Sequence, residues 1–158
     1  ISSVNTSINE EVPNTNIVSN IITFKHMAAY CAVKSPAAIY IIGNCSGWKE
    51  PAEANADVLA SWRIFETKIG SGVFQGIIDM PAGDLQFRFY NSLTGWDGGE
   101  SIGSQTEDDP MTSQFTNGVF EGTCVKPGKG AWLFKGFTAG KLKLTVDMNQ
   151  KIVKFEKL

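Results

Sequence analysis

The sequence predicts an all-β chain folded as an antiparallel β-sandwich, Ig-like or starch-binding-module-like in kind, and three observations carry the prediction. Leu142, Leu144, Val146 and Met148 alternate with Lys141, Lys143, Thr145 and Asp147, giving one apolar and one polar face at the period of a strand. About seven or eight short apolar runs are punctuated by Gly, Pro and Asn, the cadence of a sandwich. No stretch sustains a 3.6-residue periodicity, so helix is limited to a short turn.

The elements follow in order. Residues 1–36 read as a leader or linker, or as an extra edge strand: 1–16 are polar, Asn- and Ser-rich and contain Pro13, while 17–33 mix Ile, Val, Phe24 and Tyr30 in a strand-like way. The sandwich is expected over 37–158. Residues 39–42 form a compact apolar run closed by Gly43-Asn44, suited to a buried central strand. Residues 51–59 are Ala-rich and can wind one or two helical turns. A strand over 62–69 ends at Gly70-Ser71-Gly72. Residues 73–80 and 85–90 flank Pro81-Ala82-Gly83-Asp84, which reads as the turn of a β-hairpin. Residues 115–125 supply a strand or two and 132–134 a short one; Asn149-Gln150 then turns the last hairpin so that 151–155 return.

At 158 residues the chain can bury one good core, and a second full domain is not expected. A net charge of -2, with Lys and Arg scattered singly, leaves no electrostatic footprint for nucleic acid. No run approaches the length of a membrane span. The opening residues lack a basic and then apolar targeting pattern, so any targeting segment or anchor is expected outside this sequence. Cys31, Cys45 and Cys124 make an odd set that allows at most one bridge and favours free buried thiols, and His26 as the single histidine gives no zinc pattern.

The residues that carry chemistry sit on two Gly-Trp loops. Along 85–90, Leu85, Phe87 and Phe89 point into the core while Gln86, Arg88 and Tyr90 point outward. Arg88 and Tyr90 thus stand directly before the loop holding Trp96, and Trp48 follows Gly47 after the first central strand. A sugar ring offers an apolar face to an aromatic and a rim of hydroxyls to charged groups, so Trp48 or Trp96 would stack while Arg88 grips. Asp97 adds an acceptor for hydroxyls. Trp132 and Trp62 instead read as core or rim residues. The acidic stretches 97–100 and 107–109 lack the spacing of a calcium loop; as solvated loops they remain able to hydrogen-bond a hydroxylated ligand. No cofactor or metal is expected. No nucleophile-base or metal-hydrolase motif occurs, so the expectation is a binding protein and not an enzyme.

The segments Ile39-Tyr40-Ile41-Ile42-Gly43-Asn44 leading to Gly47-Trp48, Phe74-Gln75-Gly76, Ala82-Gly83-Asp84-Leu85-Gln86-Phe87-Arg88-Phe89 leading to Trp96, and Gly140-Lys141-Leu142-Lys143-Leu144-Thr145-Val146-Asp147-Met148-Asn149 together resemble the surface glycan-binding lipoproteins of the starch-utilisation type (SusE/SusF-like) of Bacteroides-type bacteria. That resemblance implies a non-catalytic β-sandwich binding a polysaccharide or oligosaccharide, such as a starch-like glucan. It also implies display by a lipid anchor on the extracellular face of the outer membrane, beside a glycan import complex; a periplasmic or secreted protein is the alternative location. The family site maps onto Trp48, Arg88 and Trp96. Arg88 departs from the Lys often found at the basic position, Cys31 lies too far in to be the lipidated cysteine, and a tandem partner domain is expected upstream. The competing reading is a structural or protein-interaction module, with Trp48 and Trp96 buried or far apart and Arg88 in a salt bridge.

Overall fold

The computed structural model describes residues 35–158, so Cys31, His26 and the strand expected within 17–33 lie outside the described residues. The described strands are β1 (Ala38–Gly43), β2 (Arg63–Glu66), β3 (Val73–Met80), β4 (Gly83–Tyr90), β5 (Ser101–Ile102), β6 (Met111–Ser113), β7 (Val119–Thr123), β8 (Trp132–Phe137), β9 (Gly140–Asp147) and β10 (Ile152–Lys157). Among the described residues helix is confined to two 3₁₀ turns, Asn44–Ser46 and Glu53–Asn55, and a single α turn, α1 (Ala56–Leu59). The described residues are all-β in class, with a short helical turn where the Ala-rich stretch predicts one.

The strands form one continuous sheet in the order β6-β8-β4-β1-β2-β3-β9-β10-β7, with β5 added to β4. Among the described strands every pairing is antiparallel except β6 with β8. The two faces expected of a sandwich are therefore two halves of one sheet, wound into a nearly closed, barrel-like arrangement. β2 and β3 form the corner, joined by only Phe65 opposite Gln75 and Glu66 opposite Phe74. Glycine makes the corner close: a Cβ at Gly76 would lie 2.6 Å from Ile64 Cγ2.

Between the halves the inward residues interdigitate. Phe87 of β4 meets Phe155 of β10 with ring centroids 5.4 Å apart, and Trp132 stands edge-on to Phe155 at the same distance. Leu85, Phe87, Phe89, Trp132, Leu142, Leu144, Val146 and Phe155 are all buried, which places the predicted apolar faces in one core. Each such side chain contributes about 1.5–3 kcal/mol on leaving water. The final hairpin has the expected register, from Leu142 opposite Lys157 to Asp147 opposite Ile152. Ahead of β7 the chain turns at Thr116-Asn117-Gly118-Val119, where Thr116 and Val119 exchange backbone hydrogen bonds (2.8 and 3.1 Å). Asn117 and Gly118 both hold positive φ (52° and 80°), the requirement of a tight hairpin turn, and the flanking Phe115 and Phe120 pack on Phe134 at 4.5 and 5.2 Å.

Two expectations are corrected. β3 and β4 do not form a hairpin: β3 pairs with β2 and β9, and β4 with β1, β5 and β8. Two-residue hairpin loops require positive φ at their first position, which the fixed φ of Pro81 forbids. Pro81-Ala82 instead carries the chain from one half of the sheet to the other. The strand expected over 62–69 is also shorter. β2 stops at Glu66, whose carboxylate accepts hydrogen bonds from the N–H groups of Gly70, Gly72 and Ala37 (3.1, 3.0 and 3.1 Å) and so curls the following loop.

Candidate functional site

β4 sets the site through its two faces. The outward face is not simply solvated, because the helical turn folds back over it. Leu59 of α1, Ile42 of β1 and Tyr90 of β4 form a small second core, with Tyr40, Trp62 and Leu93 packed at its margin. Tyr90 is consequently only 3 % exposed. The alternation correctly places its side chain outside the sheet, but the phenol is packed ground rather than an open contact.

On that ground stands Trp96. Gly95 turns the chain with φ 93°, and its N–H donates to Pro51 O at 2.8 Å, tying this loop to the segment that follows Trp48. The Trp96 ring meets Tyr90 edge to face, with centroids 5.7 Å apart, and remains 39 % exposed. Asn91 closes the base of the loop, its N–H donating to Glu100 O and its Oδ1 accepting from Glu100 N (3.1 and 2.9 Å).

Arg88 lies beside this pair. Its guanidinium carbon sits 5.3 Å from the Tyr90 ring centroid, and Nη2 donates to Tyr90 Oη at 3.0 Å. Nη1 donates to the carbonyl of Lys129 and approaches Asp108 Oδ1 at 3.7 Å. Nε is buried without a hydrogen-bond partner.

Glycine brings the Lys129 carbonyl there. Gly128 N donates to Ser101 O (2.9 Å) and Ser104 N to Gly130 O (2.8 Å). A Cβ on Gly103 would fall 2.5 Å from Gly130 O and 2.6 Å from Gly128 O. Only backbone fits between these segments.

The outcome is a shallow pocket of about 290 Å³ lined by Arg88, Tyr90, Trp96, Asp97, Ser101, Asp108 and Lys129. Four of the five residues singled out in the sequence thus line one pocket. Trp48 is not among them: it projects 40 % exposed from a turn in which Gly47 and Trp48 both hold left-handed φ (69° and 51°). Ser101 and Lys129 escape the sequence reading, and Asp108 enters it only within an acidic stretch, because these contacts join residues distant along the chain. Gly103, Gly128 and Gly130 were the available signal of a close backbone approach.

Cys45 and Cys124 are free; burial pushes the Cys45 thiol up to about 11 and also raises that of Cys124. Among the described residues no cluster of His, Cys, Asp or Glu is arranged to hold a metal ion, and no helix is long and apolar enough to cross a membrane. No protein-family model, curated protein or solved structure matches the chain.

Proposed function

We propose that residues 37–158 form a non-catalytic carbohydrate-binding domain whose ligand lies on Trp96. The observation that carries this reading is the pocket itself: a half-exposed indole braced on Tyr90, with Arg88, Asp97, Ser101, Asp108 and Lys129 around it. Stacking would hold the apolar face of a pyranose while these donors and acceptors take its hydroxyls. A single shallow site binds weakly, so several such domains tethered at one surface would gain by effective concentration. Together with the resemblance to SusE/SusF-like lipoproteins, this suggests capture of polysaccharide at the outer face of the outer membrane, near a glycan import complex.

Affinity electrophoresis in gels containing starch, xyloglucan, fructan, pectin or alginate tests the reading. Retardation in at least one gel, lost in Trp96→Ala, is the expected result; unchanged migration in all of them counts against it. One observation favours the structural-module alternative, namely that Arg88 is engaged by Tyr90, Lys129 and Asp108. That alternative predicts unretarded migration in every gel.

A further inference from the structure

We propose that the saccharide held by this pocket carries a carboxylate, as in a uronate-bearing oligosaccharide, and that the carboxylate seats on Arg88. The inference rests on the carbohydrate reading above. It differs from the starch-like glucan implied by the family resemblance.

Arg88 carries a charge that its surroundings meet poorly. Its side chain is 15 % exposed and its Nε is buried, so the cation is largely withdrawn from water. The groups that accept its hydrogen bonds, the Lys129 carbonyl and the Tyr90 hydroxyl, are neutral. Among the described residues its one ion-pair partner is Asp108, which is 85 % exposed and stands 3.7 Å away, beyond hydrogen-bond length. Nε has no acceptor. A desolvated cation is costly unless it is closely paired and hydrogen-bonded, and this one forms part of the wall of an open pocket.

A ligand carboxylate supplies what Asp108 does not. It can meet the guanidinium at about 2.7–2.9 Å, the length of a charge-assisted bond. Asp108, solvated and loosely paired, loses little by swinging into water. With Asp108 turned away, Asp97 is the carboxylate left in the lining beside Arg88. Tyr90 holds the guanidinium from behind, so the seat is preorganised. A neutral sugar would leave the guanidinium as poorly paired as it is in the free protein.

Isothermal titration of the full chain with matched saccharides tests this: xylotriose with and without a glucuronate substituent, and trigalacturonate and triguluronate against maltotriose. At least one acidic ligand is expected to bind about tenfold or more tightly than its neutral counterpart, with the preference shrinking in about 0.5 M salt. Asp108→Asn changes an exposed side chain and should raise the preference for the acidic ligand over its neutral counterpart severalfold. Arg88→Gln, checked for folding by circular dichroism, should erase the preference. Equal or tighter binding of the neutral saccharides, still dependent on Trp96, overturns the carboxylate seat and leaves the carbohydrate reading standing. Failure of every saccharide to bind removes both.

Discussion

Trp96 and Trp48 share a sequence signature, a Gly-Trp after a strand with polar residues following, and nearly equal exposure at 39 % and 40 %. What lies beneath them differs. Trp96 rests edge-on against buried Tyr90, beside a guanidinium held from two sides, and forms a wall of a pocket. Trp48 stands outside that pocket on a turn with two consecutive left-handed residues, where a non-glycine residue costs about 1 kcal/mol or more. Exposure therefore does not make a site. A ring that is fixed by packing below presents a defined face above, whereas a ring on a strained turn gives only an accessible surface. The 50–52 and 94–95 segments are joined by Gly95 N to Pro51 O and by the bridge between Ala52 and Thr94, so one loop buttresses the other.

The strongest way to break the contrast is to disturb the support and leave both rings in place. Gly103→Ala should force the 126–131 segment outward, since its Cβ meets the Gly128 and Gly130 carbonyls. Overpacking of this kind costs about 1–3 kcal/mol. Urea denaturation should show that loss, and saccharide binding should disappear although Trp48 and Trp96 are unchanged.

Removing the rings sharpens it. Trp96→Ala should weaken saccharide binding about tenfold or more, equivalent to about 1.4 kcal/mol, and Trp48→Ala by less than about threefold; titration calorimetry on the two variants decides. Equal losses would make the two loops one platform.

A smaller effect is expected below the ring. Tyr90→Phe keeps the packing against Trp96 but removes the acceptor of the Arg88 Nη2 bond, a loss of about 1 kcal/mol in stability. Binding should weaken only as far as Arg88 moves, and a thermal melt beside a titration separates the two.

The least effect on the comparison comes from acid. Three backbone N–H groups hold the Glu66 carboxyl below its ordinary pKa. Its contribution to stability is complete above the unfolded-state value and fades as pH falls through the lower folded-state value. Melting across the carboxylate range should show this loss, reduced in Glu66→Gln, while the ratio of Trp96 to Trp48 effects stays constant at neutral pH because Glu66 belongs to neither loop.

Strands that alternate cleanly were legible in the residues. β9 and β10 pair as their pattern predicts, and Leu85, Phe87 and Phe89 lie in the core. Pairing partners were less so. The runs on either side of Pro81 resemble a hairpin, and only the φ demanded by a tight hairpin loop argues otherwise. For the site, alternation placed Arg88 and Tyr90 on the outer face but could not show that Leu59 and Trp62 would fold over it. The lining residues Ser101, Asp108 and Lys129 come from separate segments assembled by backbone contacts at glycines, a long-range arrangement that spacing along one chain does not encode.

The most direct test of the central claim is a heteronuclear NMR titration that follows the indole N–H signals, assigned with Trp→Phe variants, while saccharides are added. A bound saccharide should shift the Trp96 signal most and leave that of buried Trp132 in place. If no saccharide moves the Trp96 signal, or if Trp48 alone responds, Trp96 is not the ligand platform.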